Sequence, residues 1–499
     1  MMRVPGLSGQ QKPFSDSLKK LGTCALFSLV SQLAMAQPDA LVTRLLFEPV
    51  PIPEDPQDTY PLVSFSAAET DIPQPAAEKR ELTFDERRDI EEEIEQYRNI
   101  VGDSEAEQGP FSDTLREDLF SIGELYQQLE EHDEAIKAFE RALNVSRINF
   151  GLRSLDQIPL LENMAESYLA MQQNSNADAM MDAAFKLQRD YYGEGSPALA
   201  GPMAKLGDWN TDAFMTRSSI LVNIPRMNVQ NFLMDPNNYV QPIVDIRSSP
   251  LFKLYQARAN YLNAISSLLE TQNYTHPELQ TLEHKLLTNY FLSMHQENIL
   301  YEPDFYLTRK KTKTASRLNQ NAIELMTSEN YDLGKESHER RVAYVANNPR
   351  ASGMELATVL LEKADWHLLF ERKVVAQREY EAAYQFFTEN PDIASSVTDY
   401  IYPVVPQVLP TYLPAPNSRE KLGIAEDAEV AWFGYFDVSF SINRFGKARR
   451  VKILREGGEV TRNMEIRLKQ YLQKVLFRPR FTDGKIDDSP LELRYYIAI

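Results

Sequence analysis

A small residue returns at equal steps of 42 in the first half of this chain, at Gly123, Ala165 and Gly207. The first two copies carry the same companions: Tyr126, Ala135, Phe139 and Ala142 follow Gly123, and Tyr168, Ala177, Met181 and Ala184 follow Ala165. Offsets of 3, 12, 16 and 19 residues set small side chains where two antiparallel helices approach and larger ones where the next pair must be met. The chain is therefore constrained to helical hairpins stacked in series. The third copy, SPALAGPMAKLGDW, loses the pattern after Trp209, and an irregular insert without helical rhythm is expected over about 212–250. Helical texture resumes at Leu251, and Ala364, Ala376, Tyr380 and Ala383 restate the offsets 12, 16 and 19. Three to six hairpins are expected within 81–400, clearest over 112–192 and 352–390.

These residues resemble the tetratricopeptide repeat, whose usual period is about 34; the longer step is similar to the variant with extended helices. The resemblance implies a solenoid that binds protein partners along its concave side, lined by the first helix of each hairpin. Aligned on that pattern, the groove presents Glu117, Phe120, Glu124 and Gln127 from one repeat and Glu162 and Glu166 from the next. An acidic groove of this kind suits a basic partner.

The flanks differ in composition. Lys19 and Lys20, the apolar LGTCALFSLVSQLAM and Ala34-Met35-Ala36 read as a signal peptide over 1–36, cleaved before Gln37. Its apolar core of about 13 to 16 residues is shorter than the roughly 20 that span a bilayer. Cys24 is the chain's only cysteine, so after cleavage no disulfide and no cysteine nucleophile or metal ligand remain. The alternative is an uncleaved anchor in the inner membrane with the rest of the chain facing the periplasm. Prolines mark a spacer over 37–80 and a linker over 401–427, where YPVVPQVLPTYLPAPN carries five.

After the linker, Phe436, Val438, Phe440 and Ile442 alternate with polar residues, RFGK turns, and ARRVKILRE continues as a second strand. Met464, Leu468, Tyr471, Leu472 and Val475 share one helix face behind Thr461, and LELRYYIAI closes the chain as a third strand. The alternating strand, the glycine turn, the helix ending in LFRPRF, and Phe477, Pro479 and Gly484 make residues 428–499 similar to the C-terminal domain of the TonB energy-transducer family. The expected fold class is thus mainly α, a helical solenoid followed by a small α+β domain of order strand, strand, helix, strand. The resemblance implies a periplasmic domain that captures an extended partner segment on its sheet edge. It places Leu491, Leu493 and Tyr495 along that edge, with Arg478, Arg480 and Arg494 drawing an acidic peptide. A homodimer through the terminal sheet is the other use of such an edge.

Formal net charge is −19, but Val430 to Ile499 holds 14 Lys and Arg against 8 Asp and Glu. The acidic bulk argues against nucleic acid, whose phosphates are held by clustered cations. The basic tail makes the terminal domain itself a candidate for the acidic groove, tethered by the linker. No H-E-x-x-H, G-x-S-x-G, phosphate loop or G-x-G-x-x-G occurs. The six histidines are scattered singly, and no catalytic residue, cofactor, metal or small-molecule substrate is expected. The sequence therefore reads as a non-enzymatic periplasmic adaptor whose partners are proteins, such as TonB-dependent outer-membrane receptors or envelope components, in outer-membrane transport or envelope assembly. The alternatives are a membrane-anchored transducer and an envelope enzyme with an unrecognised site in 210–320.

Overall fold

Among the described residues, eleven α-helices succeed one another from Phe84 to Glu389, each packed on the next: α1 (Phe84–Gln108), α2 (Leu115–Gln128), α3 (His132–Phe150), α4 (Ile158–Ala170), α5 (Asn174–Tyr192), α6 (Ala200–Asp212), α7 (Pro250–Glu270), α8 (Pro277–Tyr301), α9 (Arg317–Ala346), α10 (Gly353–Leu369) and α11 (Lys373–Glu389). The computed structural model describes residues 45–54, 60–62, 82–217, 250–270, 276–301, 317–482 and 485–498. The expected signal at 1–36 and nearly all of the insert at 212–250 lie outside these residues. The described chain is mainly helical, with a small antiparallel sheet at its C-terminal end.

The repeat is visible as backbone geometry. The turn between α2 and α3 holds Glu130 at φ 63°, and the equivalent turns hold Gln172 and Glu371 at φ 59°. In each, the following N–H reaches back to a carbonyl of the first helix: Glu131 to Tyr126, Gln173 to Tyr168 and Arg372 to His367, at 2.8–2.9 Å. These bonds satisfy carbonyls that a helix end would otherwise leave open. Between hairpins, Gly109, Gly151 and Gly193 fall 42 apart with φ near +90°, each accepting from Ser112, Ser154 or Ser196. At Gly123 a β-carbon would overlap the Phe139 ring, so the glycine is what lets α2 and α3 meet.

Gly207 stands in the same relation to Tyr261. The third hairpin is therefore α6 with α7, and Ala257, Tyr261 and Ala264 keep the spacing of Ala135, Phe139 and Ala142. The sequence reading lost this copy because the insert separates its two helices along the chain.

The sheet has the order β1-β8-β3-β4, with β1 (Leu46–Pro51), β3 (Gly434–Ile442), β4 (Ala448–Gly458) and β8 (Leu491–Ala498) antiparallel throughout. Helix α12 (Arg462–Lys474) starts at Thr461, whose side chain accepts from Met464 N–H, and buries Met464, Leu468 and Leu472 against Phe436, Val438 and Phe440. Residues 434–498 run β3, β4, α12 and then three two-residue strands before β8, so the expected order of strand, strand, helix, strand is interrupted, and β1 joins the sheet from far upstream in the sequence. Within the expected proline-rich spacer at 37–80, residues 46–51 form an edge strand and Leu62 bridges Trp432; its stretches at 37–44, 55–59 and 63–80 lie outside the described residues.

The linker at 401–427 is likewise no free tether. Ile401 and Leu409 are buried, β2 (Val408–Leu409) pairs with β5 (Leu476–Phe477), and Thr411 donates to Glu362 of α10 at 3.0 Å. The terminal domain rests on α10 and α11, and its Phe481, from the small β6 (Phe481–Thr482) and β7 (Lys485–Ile486) hairpin, stacks 4.0 Å from Tyr384. The docking contact is thus made with the last hairpin, and not with the acidic residues of the first two.

Candidate interaction surfaces

The predicted groove residues lie on α2 and α4. Glu117, Glu124 and Glu166 are exposed, while Phe120, Gln127 and Glu162 are half-buried. Gln127 donates to Asn163 O and Ser167 Oγ at 2.9 Å, so it ties α2 to α4. Glu162 pairs with Lys205 of α6 at 2.6 Å, and Glu117 with its neighbour Arg116 at 3.0 Å. Glu124 and Glu166 are a repeat step apart, and the next step is Asp208 on α6, which receives Lys285 at 2.6 Å and the Tyr261 hydroxyl at 2.9 Å. Asp208 was missed by the sequence reading. Its signal was present, since it follows Gly207 as Glu124 follows Gly123 and Glu166 follows Ala165.

The residues expected to line an open sheet edge are elsewhere. Leu491, Leu493 and Tyr495 belong to the core between the sheet and α12. Arg494 is buried, its Nε 2.7 Å from Asp437 Oδ1 and its guanidinium 3.8 Å over the Tyr435 ring. Arg478 is also buried and grips Asp365 of α10, with Nη2 to Oδ2 at 2.6 Å and Nε to Oδ1 at 3.1 Å. Neither arginine is available to an incoming acidic peptide. Only Arg480 keeps surface exposure, beside Asp487 at 3.3 Å, at the rim of a cleft of about 350 Å³ that Tyr384, Tyr402, Pro406 and Phe481 also line.

The edge of β8 itself is filled. Register runs from Leu46 opposite Ala498 to Pro51 opposite Leu493. Phe47 N–H turns away from β8 and donates to Asn417 O at 3.0 Å. Alternation then turns the Pro49 and Pro51 nitrogens outward too, and Leu46, Glu48 and Val50 toward β8. Proline lacks an amide hydrogen, so these two cost the ladder nothing and leave the outer rim short of donors.

Electrostatics at the junction follow from burial. Burial raises the Asp365 pKa, with Arg478 and the Tyr380 hydroxyl acting against it. Burial also works against the Arg478 charge, yet the adjoining Asp365 carboxylate leaves the arginine's pKa raised. Nearby, burial lowers the pKa of His284 and His338, and that of His367 to about 4, so all three are neutral near pH 7. Among the described residues no group of three or more His, Cys, Asp or Glu could hold a metal, and no helix is long and apolar enough to cross a membrane.

No family model matches the chain and no curated protein matches it. Among solved structures it is similar to one described as the crystal structure of BtubC (BKLC) from P. vanneervenii, at 12% identity over 63% of this chain and 91% of that one. The TM-score is 0.31, a likeness too loose to carry any assignment.

Proposed function

We propose that this chain is a non-catalytic adaptor of the bacterial envelope, in which a tetratricopeptide-like array recruits a basic protein partner and a TonB-like terminal domain closes the array. The observation that carries this reading is the exposed pair Glu124 and Glu166, one carboxylate on each of α2 and α4 a 42-residue step apart; at the next step Asp208 is already engaged by Lys285 and Tyr261. Repeat arrays bind along such a pair because identical positions fall in register on one side. A role in outer-membrane transport or envelope assembly rests on the TonB resemblance, in which partners are outer-membrane receptors.

Chemical cross-linking in envelope extract tests the reading. A partner recovered by the full chain should be lost in the variant E117K/E124K/E166K. Its yield should also fall between about 0.05 and 0.5 M salt, where screening shortens the reach of exposed charge. Recovery unaffected by both changes would remove the acidic series from the binding surface.

A further inference from the structure

A cleft of about 350 Å³ opens where the last helical hairpin, the segment after it and the terminal domain meet. Tyr384 of α11 forms one wall, Tyr402, Pro403 and Pro406 a second, and residues 478–482 of the terminal domain the third. Its aromatic faces are flat: Phe481 lies against Tyr384 with ring planes 15° apart, and the exposed Tyr402 ring is 5.7 Å from Tyr384. The neutral polar groups of the wall are engaged. The Tyr384 hydroxyl donates to Ile401 O at 2.9 Å, Gln407 Nε2 to Val408 O at 3.0 Å and the Thr482 hydroxyl to Asp487 Oδ2 at 3.2 Å. The two cations differ. Arg478, 3% exposed, gives Nε and Nη2 to Asp365, and its buried Nη1 has no hydrogen-bond partner among the described residues. Arg480 is half-exposed, and its two contacts are long, 3.3 Å to Asp487 and 3.4 Å to Ser489 O.

We infer that this cleft binds a small carboxylate carried on a flat apolar ring system, its oxygens held by Arg478 Nη1 and Arg480 and its ring laid against Tyr402 and Phe481. A buried donor without an acceptor is costly, and a planar guanidinium that meets Asp365 along one edge keeps its remaining nitrogen for another oxygen. A chain laid on the sheet does not meet that nitrogen, whereas Arg478 borders the cleft. Asp365 already neutralises Arg478, so the negative charge of the ligand is met chiefly by Arg480. One charge suits the site better than a phosphate dianion, because proline and aromatic walls remove the water that a dianion needs. The volume is at the small end for ligand cavities and fits one or two fused rings. Since the walls come from α11, from residues 401–407 and from the terminal domain, an occupant ties that domain to the last hairpin. The site lies apart from Glu124 and Glu166 and acts whether or not the array binds a partner.

The test uses the full chain and two probes of equal shape, 2-naphthoate and the neutral 2-naphthamide, titrated by isothermal calorimetry. The unaltered chain should bind the carboxylate at least about tenfold more tightly than the amide, the difference expected of charge-assisted hydrogen bonds. R480M should abolish most of that preference. Y402A/R480M should bind neither probe measurably, and D365N/R478M, which lacks Nη1 without stranding a carboxylate, should bind 2-naphthoate at least about tenfold more weakly. Melting curves establish that each variant is folded. Saturating 2-naphthoate should raise the melting temperature of the unaltered chain and leave that of Y402A/R480M in place. The inference is overturned if the unaltered chain binds neither probe or both alike, if the folded variants bind 2-naphthoate as the unaltered chain does, or if the probe raises both melting temperatures equally.

Discussion

At the scale of single residues, the array is built on places where a side chain is absent. Gly123 and Gly207 each admit an aromatic ring, Phe139 or Tyr261, into the space a β-carbon would fill. Gly123→Ala should therefore destabilise the chain by about 1–3 kcal/mol through overpacking, although alanine is the better helix former. Phe139→Leu in the same chain should recover part of the loss, because the smaller side chain leaves room for the methyl group. Gly102 in α1 is exposed with open space around it, so Gly102→Ala should be neutral or stabilising by up to about 1 kcal/mol. Urea denaturation of the three variants checks the ranking; equal losses at 102 and 123 would remove the close approach as the cause.

At the scale of elements, legibility followed the length of chain over which a pattern survives. The first two hairpins were readable because small and aromatic residues kept their offsets, and the terminal strands because alternation ran from Phe436 to Ile442 in β3. The third hairpin was not, since its partner helix begins beyond the insert. Strand β1 was hidden for a different reason: LFEPVP has two prolines in six residues and reads as a spacer unless it is known to lie on an edge. The buried arginines were equally hidden, because Arg478 and Asp365 lie 113 residues apart and nothing local marks them as partners. The prolines also bear on self-association. Restoring outward donors with P49V/P51V gives β1 a continuous open rim, and such rims pair with other chains. The double variant should keep its melting temperature within a few degrees, on the expectation that surface changes cost about 0.5 kcal/mol or less, while self-associating more strongly than the unaltered chain in sedimentation velocity.

At the scale of the whole molecule, the junction between array and terminal domain decides whether the chain unfolds as one body or two. Phe481, Leu409 and Leu476 share a core with α10 and α11, and the centre of the contact is the buried pair Asp365 and Arg478, with Tyr380 donating to the same carboxylate at 2.5 Å. A buried pair gains little over apolar replacement, but removing one member strands the other. R478M leaves the Asp365 carboxylate in the core with Tyr380 alone, at a cost of about 3–5 kcal/mol. That loss falls on the junction, while the core around α12 and the helices upstream are untouched. Differential scanning calorimetry of the R478M chain should show the terminal domain melting before the array, where the unaltered chain couples it to the last hairpin. D365N/R478M, with neither charge present, should recover part of the coupling, and R480M at the half-exposed rim should change stability by no more than about 1 kcal/mol. A calorimetric profile in R478M that keeps its shape and merely shifts would mean that the apolar contacts of Phe481 and Leu409 hold the two parts together without the ion pair.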